Sequence, residues 1–141
     1  MDQTSRNEAI VAGARQYLGC KWRHRGRSEF GIDCIGLIVR AMAAGGIEMR
    51  DRLDYSRTPY QDGLDRELAE HFGVPLADLR DLQPADVVLM RWDRDPEPSH
   101  VGLIASNAGG LTLIHAYSMI SVTEHNLSPE WVRRIVKAYR P

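Results

Sequence analysis

Hydrophobic positions follow two regimes along this chain. In the first half they recur at three- and four-residue spacing, the signature of helices with one apolar face. Ser5-Arg6-Asn7-Glu8 has the capping-box form, and Ile10, Ala14, Tyr17 and Leu18 follow at helical spacing. This predicts a helix over about 5–18 with Gly19 as its stop. Residues 20–32 read as a loop. The stretch from Asp33 to Ala44 is apolar almost all round, which predicts a buried helix capped by Asp33 and ended by Gly45-Gly46. Residues 47–61 read as an irregular surface connection. A third helix is expected from Asp62 to Phe72, stopped by Gly73 and Pro75, with a single turn at Leu76-Ala77-Asp78-Leu79.

From Pro84 onward the pattern changes to short β-rich runs. Strands are expected at 87–92, 99–105, 111–117, 120–124 and 134–139. A polar loop follows the first at 93–98. The turn between the second and third is Asn107-Ala108-Gly109-Gly110, and Ser128-Pro129-Glu130-Trp131 is a further turn. Strands this close in sequence require hairpins, so an antiparallel meander of about five strands is predicted. Helices first and strands second give an α+β fold.

Composition narrows the class without changing that picture. The chain has 141 residues, a net charge of −1 and two cysteines. It fits one domain over 1–141. It has no apolar run near the roughly 18 residues that a membrane span needs, so no membrane insertion is expected. The N-terminus lacks a hydrophobic signal core, so no signal peptide is expected and synthesis would be cytoplasmic. The near-zero charge gives no field for nucleic acid. Two cysteines cannot build a disulfide scaffold.

The chemistry begins with Cys34, placed in the first turn of a helix, where free amides and the helix dipole favour a thiolate. Such a thiolate is a nucleophile, and the same amides suit an oxyanion. Cys34 alone reads first as a buried structural thiol. Two histidines add to it. If Ser106 pairs with Leu111, then His100 lies opposite Tyr117 and His115 is its diagonal neighbour. Both histidines then share a face with Gly102, Ile104, Leu111 and Leu113, the face expected to pack on the helices. Cys34, His100 and His115 together match nucleophile, base and orienting group. Satisfied core histidines and a three-ligand zinc site are the alternatives.

The same residues resemble a known family. Gly31-Ile32-Asp33-Cys34-Ile35-Gly36-Leu37, Pro84-Ala85-Asp86-Val87-Val88, His100-Val101-Gly102-Leu103-Ile104 and Ile114-His115-Ala116 resemble the blocks of the NlpC/P60 cysteine peptidases in order and spacing. The loop from Trp22 to Gly26, the stretch from Asp54 to Pro59 and the end at Arg134–Tyr139 resemble the phage-encoded cell-wall peptidases within it. The resemblance implies a papain-like fold with N-terminal helices on a C-terminal antiparallel sheet. It implies Cys34 as nucleophile, His100 as general base and His115 as the group that holds His100. It also implies hydrolysis of peptidoglycan stem peptides, no cofactor or metal, association with phage tail proteins, and action on a host cell wall from the virion.

Trp22 falls where the family often has a tyrosine whose hydroxyl lines the site, Ala85 where glycine is common, and Ile35 where serine is common. Trp22, Arg23, Arg25, Asp33, Ser99 and Tyr117 are the expected substrate-side residues, the arginines because a stem peptide carries carboxylates. Those arginines read equally as a solvated loop. Cys20 reads as a free or structural thiol. His24, His71 and His125 have no partner in the sequence and read as surface residues. Asp86 reads as a turn into its strand, and Trp92 and Trp131 as packing.

Overall fold

The computed structural model describes residues 2–56, 63–92, 97–117 and 119–141. Four helices are described: α1 (Gln3–Arg15), α2 (Cys34–Ala44), α3 (Leu64–Phe72) and the one-turn α4 (Pro129–Val132). A small hairpin, β1 (Arg27–Ser28) with β2 (Gly31–Ile32), precedes α2. The main sheet contains β3 (Val87–Arg91), β4 (Pro98–Asn107), β5 (Gly110–Ala116), β6 (Val122–Asn126) and β7 (Ile135–Tyr139). The fold is α+β, with every strand pair antiparallel. The expected segment 57–61, the helix start at Asp62 and most of the loop at 93–98 lie outside the described residues.

Local chemistry sets each helix end. Asp2, not Ser5, caps α1: its carboxylate accepts from Ser5 N–H at 2.7 Å, so the helix starts earlier than the capping-box reading placed it. Asp33 caps α2 as expected, accepting from Gly36 N–H at 2.8 Å. Seven residues of α2 are buried, among them Leu37, Ile38, Ala41 and Met42, because α1 packs on one side of it and the sheet on the other.

The sheet order is β6-β5-β4-β3-β7. Four strands run as a meander, but the fifth does not follow its neighbour in sequence. It crosses back to pair with β3, as in Val87↔Tyr139 and Val88↔Ala138. The crossing closes the second edge of β3, whose residues 87–90 are all buried. The one-turn α4 occupies the expected turn at 128–131, and a 3-10 turn at Leu79–Asp81 replaces the expected one at 76–79. The loop reading of 20–32 missed the β1–β2 hairpin.

Both sheet faces are covered. Val87, Leu89, Val101, Leu103, Ala105, Ile114 and Ala116 pack with α1, α2 and α3. Val88, Met90, Ile104, Leu113, Ile135 and Ala138 form a second cluster with Leu76, Leu79, Leu82, Leu127 and Trp131. The β4–β5 register is the expected one, with Ser106↔Leu111, extended by the pair Asn107↔Gly110. The face assignment is corrected. Ile104 and Leu113, the partners of the two histidines in strand parity, lie in the second cluster, on the side away from α2. Every residue of β4 from 100 to 105 is buried, so apolar alternation carried no signal for which face meets the helices.

Candidate active site

Cys34 occupies the first turn of α2, directly after the capping Asp33. Its thiol is buried, and burial, with the nearby Asp33 carboxylate second, pushes its pKa up to about 12. Backbone amides of Val101, Ile35 and Cys34 itself act in the other direction by approaching the sulfur. Val101 immediately follows His100 in β4, but by strand alternation the His100 side chain leaves the opposite face of the strand. Among the described residues no hydrogen bond joins the thiol to a ring nitrogen.

The structure does bring the two histidines together. His100 Nε2 and His115 Nδ1 are 2.8 Å apart, and both residues are buried. β4 and β5 pair as far as Leu103↔Ile114, and the histidines face each other just beyond the last pair. Gly102 allows it: a Cβ there would meet Leu113 Cδ1 at 2.7 Å and His115 Cβ at 3.4 Å. Trp92 stacks on His100 with ring centroids 4.4 Å apart, while Tyr117 and Trp131 flank His115. Burial drives both imidazoles toward the neutral form. His100 falls well below the usual histidine value, with His115 adding to the effect. His115 falls to about 3, with smaller contributions from His125 and Arg134. The resting site therefore holds a neutral thiol and neutral imidazoles at neutral pH.

Asp33 organises the entry to α2. One oxygen accepts from Gly36 N–H and from Arg27 Nη1 at 3.0 Å. The other accepts from Arg25 N–H at 2.8 Å and from the Tyr55 hydroxyl. Arg27 also reaches Asp51 and the Tyr55 hydroxyl. Gly36 makes this close fit sterically feasible, since a Cβ there would stand 2.3 Å from the Gly26 carbonyl oxygen.

The expected substrate-side residues divide by placement. Asp33 is buried with both oxygens occupied by protein donors, so its role is to position the loop and the helix. The Arg25 guanidinium donates to the Tyr55 carbonyl at 2.9 and 2.8 Å. Arg23 is exposed and Trp22 half-buried, stacked 6.4 Å from His24. Ser99 is half-buried and, by strand alternation, on the face of Val101. Tyr117 is half-buried against Trp92 and His115. A small pocket between α2 and α3 is lined by Ile35, Val101 and Tyr55, with Arg50, Arg52 and Glu67 also at its wall.

Sequence reasoning missed four residues at this site. Tyr55 supplies a hydroxyl to Asp33, Trp92 and Trp131 wall the histidines, and His125 Nε2 lies 2.8 Å from His115 Nε2. His125 is therefore not a partnerless surface residue. The signal was present: β6 pairs with β5 through Leu113↔His125 and His115↔Thr123, which puts His125 diagonal to His115 on one face. Ending the fourth strand at Glu124 left it out by one residue. Both cysteines are free. Among the described residues no group of three histidine, cysteine or carboxylate side chains is arranged to hold a metal ion.

The NlpC/P60 family model matches residues 19–140. The chain belongs to the NlpC/P60 family. Its members are generally cysteine peptidoglycan hydrolases. Solved structures of the same fold include NlpC1 from Trichomonas vaginalis, at 20% identity and a TM-score of 0.71, covering 99% of this chain and 45% of that one. An NlpC/P60 family protein from Bacillus cereus is 22% identical with a TM-score of 0.67, over 95% of this chain and 39% of that one. The NlpC/p60 domain of the peptidoglycan hydrolase SagA is 21% identical with a TM-score of 0.63, over 96% and 98%. The chain thus spans less than half the length of the first two. No curated protein matches it. Among the described residues, no helix is long and apolar enough to cross a membrane.

Proposed function

We propose that this NlpC/P60 domain is a cysteine peptidase that hydrolyses peptide bonds in peptidoglycan stem peptides. The observation that carries the reading is the buried His100–His115 hydrogen bond, one residue along β4 from the Val101 amide that approaches the helix-borne Cys34. His100 uses Nε2 toward His115, and its Nδ1 makes no hydrogen bond among the described residues. That nitrogen is the one free to take up a proton. In the reaction, Cys34 Sγ attacks the scissile carbonyl as its proton passes to His100 Nδ1. The amides at the start of α2 receive the developing oxyanion. His100 returns the proton to the leaving amine, and water then cleaves the thioester with His100 again as base.

Because the resting thiol is held protonated, proton transfer accompanies attack rather than preceding it. The exposed Arg23 suits a peptide bearing carboxylates. Resemblance to phage cell-wall peptidases supports delivery by a tail particle to a host wall. The test is release of soluble peptides from purified peptidoglycan. Cys34→Ala abolishes release and chelators leave wild-type release unchanged; undiminished release by the variant refutes the assignment.

A second reading is favoured by the buried, high-pKa thiol and its missing bond to His100. It takes the chain as a tail-assembly protein with a degenerate site. Incorporation into tail particles, with no peptide release by the wild type, would select it.

A further inference from the structure

The histidine contacts do not stop at the His100–His115 pair. His115 Nε2 lies 2.8 Å from His125 Nε2, and His125 Nδ1 lies 2.9 Å from the Asn126 carbonyl oxygen. Three imidazoles on β4, β5 and β6 thus form one chain of hydrogen bonds, from the buried His100 to the half-buried His125.

A neutral imidazole has one N–H and one lone pair. This rule and the carbonyl at the far end determine the whole chain. A carbonyl only accepts, so His125 carries its proton on Nδ1 and offers a lone pair at Nε2. His115 must then donate from Nε2, which leaves its Nδ1 as acceptor. His100 must donate from Nε2, which leaves the Nδ1 lone pair open. That is the tautomer a general base for Cys34 requires.

We propose that His125 is a positioning residue: through His115 it fixes the tautomer of His100, and it carries the positive charge when His100 gains a proton. The inference rests on the assignment of Cys34 and His100 as nucleophile and base. The proton balance is simple. One proton arrives at His100 Nδ1; one crosses from His100 Nε2 to His115 Nδ1; one crosses from His115 Nε2 to His125 Nε2. His100 and His115 end neutral, and the charge resides on His125, the least buried member.

Two consequences follow. When the proton comes from Cys34, the thiolate forms without charging a buried imidazole. When it comes from acidic solvent, His100 Nδ1 is already occupied and the base is switched off. The charged groups near His125 fit this role. Arg134 lies over the Trp131 ring at 4.4 Å and pairs with Glu130, and it disfavours charge on His115. Glu124, the neighbouring carboxylate on β6, bonds Arg15 and Thr112. Trp131 packs directly on His125 at 5.0 Å.

The test uses the full chain with Cys20→Ser, so that Cys34 is the sole thiol. Nitrogen-15 NMR of the histidine rings at mildly alkaline pH should show Nε2–H on His100 and His115 and Nδ1–H on His125. On acidification, His100 and His115 should switch to Nδ1–H as His125 becomes cationic. An Nδ1–H tautomer for His100 at alkaline pH overturns the proposal and needs no variant. Iodoacetamide alkylation of Cys34 should be level at alkaline pH and fall at the pH where the ring spectra show that switch. His125→Gln, which still accepts from His115 but does not titrate, should remove that inflection and slow alkylation near neutral pH at least about tenfold. An unchanged profile overturns the proposal. Neither readout uses peptidoglycan, so the expected tautomers in a chain that releases no peptide support the relay and refute only the hydrolase reading.

Discussion

Asp33→Asn removes one charge and keeps the shape of the side chain, and it should act on stability and thiol reactivity in opposite senses. Asp33 is 3% exposed, and the Arg27 side chain it pairs with is 10% exposed. Its carboxylate takes bonds from two backbone amides, a guanidinium and a hydroxyl. Asparagine retains an oxygen for Gly36 and Arg27, but its NH2 group faces the Arg25 N–H, donor against donor. Removing one partner of a buried pair costs about 3–5 kcal/mol. Arg27 keeps Asp51, so the low end, about 3 kcal/mol, is expected. Urea denaturation followed by circular dichroism measures it. A loss under about 1 kcal/mol would show that the hub does not hold the loop to α2. The second effect is at Cys34, where the Asp33 charge adds to burial in raising the thiol. The variant should be alkylated faster in native buffer, each pKa unit being tenfold in thiolate. Reaction through unfolding is separated by its dependence on added urea. A thiol no faster than wild type refutes the electrostatic part.

Other expectations are more local. Gly36→Ala should destabilise by about 1–3 kcal/mol and loosen the 20–32 loop, since its Cβ would stand 2.3 Å from the Gly26 carbonyl oxygen; a melting curve matching wild type refutes the close packing. Stability should fall as pH drops from about 6.5 toward 3. The unfolded His115 takes a proton near the usual histidine value, while the folded one resists until about 3. More protons on the unfolded chain mean lower stability at lower pH, about 1.4 kcal/mol per unit in that window. His100 acts in the same direction. Denaturation midpoints at pH 7, 6 and 5 check this above the range where carboxylates titrate; a flat series refutes it.

How much was legible in the sequence follows from which forces are local. The Asp33 cap, the all-round apolar helix after it and the glycine stop at 45–46 depend on neighbours in the chain, and α2 matches the expectation. The hairpin register around 107–110 is set by turn chemistry, so the proximity of His100 and His115 could be reasoned before any fold was known. The partner of β7 could not. Its pairing with β3 places strands adjacent that are far apart in sequence, and it answers the need to close an edge rather than any local signal. The same holds for the sheet face. With β4 buried on both sides, period two says which residues share a face but not which layer that face meets.

The basic loop shows the converse error, a chemical reading displaced by a structural one. Arg25 looked like a carboxylate receptor for a substrate, and it does recognise an acceptor, but within the chain: it donates to the Tyr55 carbonyl, while the neighbouring Arg27 takes Asp33 and Asp51. The carboxylate they and Tyr55 surround belongs to the residue preceding Cys34. Its charge opposes thiolate formation, while its cap aligns the amides that an oxyanion needs. Burial, with the charge that fixes the helix start adding to it, thus holds the resting thiol protonated. In the proposed reaction that proton has to leave as the sulfur attacks, and a histidine chain ending on a carbonyl keeps one ring nitrogen of His100 free to act as a base.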